Sequence, residues 1–421
     1  MAAMRPVATT VAGVVVAAAV VGFAGLRLAA GGGSADPRTS RQPSFAARVI
    51  TPGRVPGCTT AAASAPGLAR VPATLESVPG SPFGVVVTSD GQWSFISLTS
   101  LGSVGVFRIA DPAAVSLVSQ VHTGGQPFGE ALTPDGRYLL VADGGSGAIV
   151  ISVGRAENGQ PDAVLGTLSS FGPGDGAIEV AVSPDGRFAF VSLEDSASIA
   201  VYNLPQALAS GFGAADFVGL IPVGSAPVGM AVSPDGRWLY ATSENTDGEP
   251  SAGPPALAAD GTLTVISMAR AETDPGASVA GTVVAGCSPV RVITSPDGDV
   301  VWVTARGSDR LLGFSAARLR SDPAHSLIAS VEVGAAPVGL ALADHGQRIV
   351  VADSNQSGAG AASSLAVVGV AAALAGQPAL LGYIRAGGFP REMALEPAGG
   401  TLLVTNFSSG QLEAVGLAGL P

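Results

Sequence analysis

The stretch APVGMAVSPDGRWLYAT, residues 226–242, decides the fold. Two short apolar runs, 228–233 and 238–242, flank Ser233-Pro234-Asp235-Gly236. Pro234 presets φ at the first central turn position, Asp235 bonds local backbone, and Gly236 takes the left-handed position that closes the turn. The flanking runs are rich in β-branched and aromatic residues, so the stretch predicts an antiparallel hairpin. The unit then recurs. Its turns are Ser89-Asp90-Gly91, Thr133-Pro134-Asp135-Gly136, Ser183-Pro184-Asp185-Gly186, the opening turn, Ser295-Pro296-Asp297-Gly298, Ala343-Asp344-His345-Gly346 and Glu396-Pro397-Ala398-Gly399. The turn glycines are spaced about 51 residues apart, the length of a four-stranded propeller blade and too long for most helical repeats.

Four strands are expected per repeat: in the fourth, A at 228–233, B at 238–242, C at 263–267 and D at 279–284. The two chain ends complement each other. The seventh repeat supplies A, B and C, while VPATLESV (71–78) is a D strand with no blade of its own. Adding it as the outer strand of the last blade closes the ring and removes an open edge. The expected fold is therefore all-β, a seven-bladed β-propeller of four-stranded blades. Closure leaves no unpaired edge to satisfy, so a monomer is expected.

The domain reading follows from composition. Residues 1–35 are expected to form a signal peptide or signal anchor, because 7–26 is an uncharged, largely apolar run of bilayer-spanning length after Arg5. Either outcome puts the rest of the chain outside the cytoplasm, with the membrane touched only through this segment. Residues 36–67 are a Gly/Pro/Ala-rich linker, and 68–421 are the propeller. The net charge is −11 and every basic residue is an arginine. A surface of that sign repels phosphate backbones, which argues against nucleic acid as a partner. Two cysteines occur, Cys58 and Cys287. An oxidising compartment permits a disulfide between them; two unrelated buried thiols are the alternative.

The repeats also carry a resemblance. Units such as APVGMAVSPDGRWLYAT resemble the YVTN-type repeats of YncE-like propellers. The last blade, FPREMALEPAGGTLLVTNFSSGQLEAV (389–415), is similar to the final blade of the seven-bladed lactonase-like family. That family often has Pro-Arg at this strand start and an Asn after the next strand, here Pro390, Arg391 and Asn406. The resemblance covers 71–421. It implies the propeller fold and, through the lactonase-like members, a lactone hydrolase as one activity. Fold alone does not imply function.

Antiparallel connectivity sorts the loops. The A–B turns, with most of the obvious aspartates, lie on one face and read as structural. The D–A and B–C loops lie on the other, where strand A starts beside the axis. Aligned on their turns, the repeats give a column at the third residue of Pro-x-Gly: Gly84, Gly129, Glu179, Gly229, Arg291, Gly339 and Glu392. Glycines let inner strands crowd together, while three blades offer long charged side chains to one channel. Glu130 and Arg391 sit one residue away, and strict strand alternation turns them into an inter-blade layer or the loop edge. Two B–C loops are long: 243–261, with Glu244 and Asn245, and 353–364, with Asn355 and Gln356. Cys287 lies in the D–A loop entering the fifth blade, so a bond to Cys58 would draw the lead across this face as a partial cap.

Two functions compete. One is a non-catalytic scaffold that binds a small molecule, a glycan or a protein on the D–A/B–C face; this is the favoured reading. The other is a lactone hydrolase, with Glu179 or Glu392 as the base and Arg291 as the oxyanion partner. Charges that are merely solvated in a wet channel are the plain alternative to both. No G-x-S-x-G, H-E-x-x-H or C-x-x-C occurs, so a serine triad and a zinc site have no support. The histidines His122, His325 and His345 fall in a D strand, a C–D loop and an A–B turn, away from the channel. No cofactor is expected. A divalent ion held by Glu179 and Glu392 is left open, and a quinone-dependent dehydrogenase is a distant third because only Trp93, Trp238 and Trp302 occur.

Overall fold

The computed structural model describes residues 45–58, 62–111, 114–169, 175–246, 259–356 and 363–421. Seven antiparallel four-stranded sheets form the blades of a propeller. The first six use consecutive strands. Blade four, for example, runs Pro227–Val232 (A), Trp238–Ser243 (B), Asp260–Ser267 (C) and Val279–Cys287 (D). Blade seven takes Pro390–Leu395, Thr401–Asn406 and Gln411–Gly416 as A to C. Its outer strand is Ala73–Ser77, paired antiparallel with Gln411–Gly416. The chain start thus closes the ring against the chain end. Between neighbouring blades lie the cores, built from alternate residues of the B and C strands, such as Leu263, Val265, Val301 and Val303 between blades four and five.

The turns take the expected form with one addition. Ser233 Oγ donates to Asp235 Oδ1 at 2.6 Å, and the Arg237 N–H donates to the same carboxylate at 3.1 Å. Ser233 Oγ also accepts from the Trp238 N–H at 3.0 Å. The same hydroxyl–carboxylate pair forms at Thr88–Asp90, Thr133–Asp135, Ser183–Asp185 and Ser295–Asp297. Gly236 has φ 68°, the left-handed value that a β-carbon disfavours.

The lead before the propeller follows a defined course. Ile50 pairs in parallel with Val283 of blade four. Gly53 N–H donates to Ala324 O and Ala63 N–H to Val333 O in blade five, and Leu68 N–H to Tyr383 O in blade six. It then becomes the outer strand of blade seven. Cys58 is disulfide-bonded to Cys287. Among the described residues the lead therefore belts the outer edges of blades four to six and meets the loop face at its rim, through Cys58, and not across it. No helix among the described residues is long and apolar enough to cross a membrane. The run at 7–26 and most of the two long loop insertions (247–258 and 357–362) lie outside the described residues.

Candidate functional site

Strand A carries the site, and an irregularity in it shapes the site. In blade five Pro289 pairs with Ala305 but Val292 pairs with Val303, so Val290 and Arg291 both oppose Thr304. Blades one, four, six and seven shift in the same place. Such a bulge puts two successive residues on one side of the strand. Both the second and the third residue of Pro-x-Gly therefore reach the axis, where strict alternation expected one.

The second column supplies an apolar ring. Phe83, Ile178, Val228, Val290 and Val338 come from five different blades and pack into one cluster, with Phe128 of a sixth against it. The seventh member is Arg391. Its guanidinium stacks 3.8 Å from the Phe83 ring centroid, with Phe389 and Phe407 at 5.4 and 5.8 Å. Arg391 thus belongs to the axis and not to an inter-blade layer. Its Nε is buried without a hydrogen-bond partner, and among the described residues it makes no ion pair. Burial and the neighbouring Arg291 pull its pKa down to about 9.

The third column gathers the three predicted charges. Arg291 donates from Nε to Glu392 Oε1 at 2.5 Å and also contacts that oxygen through Nη2; its Nη2 lies 3.2 Å from Glu179 Oε2. Blades three, five and seven are thereby tied across the axis. Burial pushes Glu179 up to about 7, against the pull of Arg291. The glycines of the column are where contact is tightest. A β-carbon at Gly229 would collide with the Val290 carbonyl of the next blade, and one at Gly129 with the Glu179 carboxylate.

A ring of hydroxyls below these columns joins the blades. Thr242 donates to Val290 O at 2.7 Å, Thr304 to Val338 O at 2.6 Å, and Thr405 to Phe83 O at 2.7 Å, each reaching the next blade. The same oxygens accept from the N–H of Gly229, Arg291 and Glu392. The bulge is held open by these contacts.

The remaining sequence candidates separate. Glu130 does enter the layer between blades one and two, where it accepts from Ser97 Oγ at 3.0 Å; burial raises it to about 8. Asn406 is fully buried and donates to Glu413 Oε2 at 2.9 Å, so it braces blade seven and does not face the axis. Glu244 does face it, and pairs with Arg306 Nη2 at 2.7 Å. Arg306 continues to Gln356 at 3.2 Å. Asn245, beside Glu244, is half-buried and uses its N–H on Ser225 O. An ion held by Glu179 and Glu392 would have to displace the Arg291 guanidinium. The one group of metal-type ligands among the described residues, Cys58, Asp260 and Cys287, has both sulfurs in the disulfide.

Sequence reasoning missed Glu194 and Arg306. Both follow strand B directly, as Glu244 does. A column taken at that position (Thr99, Gly144, Glu194, Glu244, Arg306, Ser354, Phe407) finds all three. Glu194 is pushed up to about 7 by burial and by Glu244, and feels Arg391 and Arg306 as opposing charges.

No protein-family profile matches this chain, and neither does any curated protein sequence. Solved structures do. A chain of Kuenenia stuttgartiensis hydrazine synthase superposes with a TM-score of 0.63 at 18% identity, over 82% of this chain and 97% of that one. A chain from the crystal structure of a mitotic checkpoint complex gives 0.61 at 14% identity, over 94% and 99%. At such identities the likeness carries the propeller fold and nothing narrower.

Proposed function

We propose that the chain is an extracytoplasmic propeller scaffold that holds a small polar ligand at the loop-face mouth of its axis. One observation carries this reading: Arg391 is a cation set in an otherwise apolar ring, with a buried Nε that has no acceptor. A desolvated charge of that kind costs several kcal/mol unless an acceptor meets it. The compartment is supported by the apolar run at 7–26 and by the Cys58–Cys287 bond, which suits an oxidising environment.

Two observations bear on the lactone-hydrolase alternative suggested by the YVTN/lactonase-like resemblance. Glu179, at about 7, is tuned for a base near neutral pH. Arg291, however, spends Nε and Nη2 on Glu392 and Glu179, so it acts as a clamp and not as a free oxyanion partner. Binding is therefore the better-supported function. A protein partner is the second reading; the buried Nε of the half-buried Arg391 favours a ligand small enough to enter.

The test is a thermal-shift screen of small polar compounds and lactones on the full chain in mild detergent, beside Arg391→Met, with acid release followed in parallel. Ligands that raise the melting temperature of the parent but not of the variant are expected. Ligands that shift both proteins alike would contradict the site. Acid release abolished by Glu179→Gln would replace binding with hydrolysis.

A further inference from the structure

Arg391 has a counterpart across the axis. Glu194 follows strand B of blade three (Phe188–Leu193), and its N–H is spent on Gly176 O. Among the described residues its carboxylate accepts no hydrogen bond and joins no ion pair. The other charges at the mouth are engaged: Glu244 with Arg306, and Arg291 with Glu179 and Glu392. At the axis one cation, Arg391, and one carboxylate, Glu194, are left over; Asp195, the next residue, is exposed and lies against Gly176. They stand on blades seven and three, Arg391 on strand A and Glu194 just after strand B, and they form no ion pair with each other.

We propose that the mouth binds a small zwitterion, with its carboxylate on Arg391 and its ammonium on Glu194. This rests on the ligand-site reading above and names the class of ligand. With one face on Phe83, the Arg391 guanidinium keeps its edge for the two parallel hydrogen bonds that a carboxylate accepts. Phe389 and Phe407 wall that end with apolar surface, which strengthens the charge pairing by excluding water. At the far end, Glu194 offers an acceptor to an ammonium. A ligand with one charge alone satisfies one side chain and leaves the other desolvated, so it binds at least about tenfold more weakly.

Isothermal titration of the full chain in mild detergent tests this with glycine, β-alanine, γ-aminobutyrate and longer ω-amino acids. Matching carboxylates without the amine, and amines without the carboxylate, are the controls. One chain length should bind best, because it spans the gap. Its single-charge analogues should bind at least about tenfold more weakly. Arg391→Met and Glu194→Gln should each erase the preference, while circular dichroism and the urea midpoint report that both variants fold. Carboxylates binding as well as amino acids, with Glu194→Gln silent, would overturn the zwitterion and leave the Arg391 site standing. So would hits from the thermal screen that are all uncharged. If Arg391→Met alters no titration and no thermal hit, both the zwitterion and the site fall.

Discussion

The two faces of this propeller use carboxylates in opposite ways. On the turn face, Asp90, Asp135, Asp185, Asp235 and Asp297 repeat from blade to blade. Each accepts from a Ser or Thr hydroxyl and a backbone N–H, and these bonds hold its pKa below the ordinary value. On the loop face and along the axis, Glu130, Glu179, Glu194 and Glu244 follow no repeat, and burial pushes each of them up. The turn charges are solvated, hydrogen-bonded and repeated. The loop-face and axial charges are withdrawn from water and divide by pairing: Glu244 is engaged with Arg306 and, among the described residues, Glu194 with no cation. The contrast between Arg291, which joins two carboxylates, and Arg391, which joins none, is the same distinction within one cluster.

The largest effect expected is that of Arg291→Met. It leaves Glu179 and Glu392 facing each other without a counterion, which costs about 3–5 kcal/mol in urea unfolding at pH 8. The loss should shrink at pH 5, where protonation relieves the repulsion. Adding Glu179→Gln and Glu392→Gln should recover most of it. No recovery would mean that packing, not charge, was lost.

Wild-type stability against pH comes next. Glu130 titrates at about 8, and Glu179 and Glu194 at about 7, against an ordinary 4.5. Between those values the folded chain keeps protons that the unfolded chain has released, so stability falls as pH rises, by up to about 1.4 kcal/mol per pH unit per group. The turn aspartates act in reverse. Asp235, at about 2, contributes fully above 3.8 and loses its contribution as pH falls through about 2. The urea midpoint should therefore peak at about pH 4 to 5, and Glu130→Gln should flatten the decline towards pH 8. A midpoint that climbs from pH 5 to pH 8 would break the assignment of the two faces.

Asp235→Ala should cost about 1 kcal/mol, because one lost hydrogen bond is half-buried, the others are exposed, and the Arg237 pair beside them adds little. Ligand binding should not change. The smallest effect on global stability is that of reducing Cys58–Cys287. The bond pins a lead held elsewhere by scattered backbone bonds, so reduction should free the lead and leave the blades intact. Tryptic cleavage at Arg54 should quicken at least about tenfold on reduction, while a fragment ending at Pro421 persists.

The fold was legible because its signal is local and repeated. Each Ser-Pro-Asp-Gly turn or variant of it names its own hairpin, and seven such turns at a similar spacing define the ring. The third-column charges were legible for the same reason, since aligned repeats bring Glu179, Arg291 and Glu392 into register. Arg391 was misplaced because the bulge carries no residue signature: it is held by Thr242, Thr304 and Thr405, which read as ordinary strand residues. Glu194 and Arg306 were missed because a charge just after a strand looks like solvated loop. Asn406 entered through resemblance, and its burial against Glu413 depends on a strand C partner that no local pattern reveals.

The most direct test is the urea unfolding of Arg391→Met beside Arg291→Met in the full chain at pH 8. The expected result is a pronounced loss for Arg291→Met, with Arg391→Met as stable as the parent or more so, because no carboxylate among the described residues pairs with that charge and methionine keeps an apolar contact with Phe83. Equal destabilisation of both would contradict the account and make Arg391 part of the scaffold.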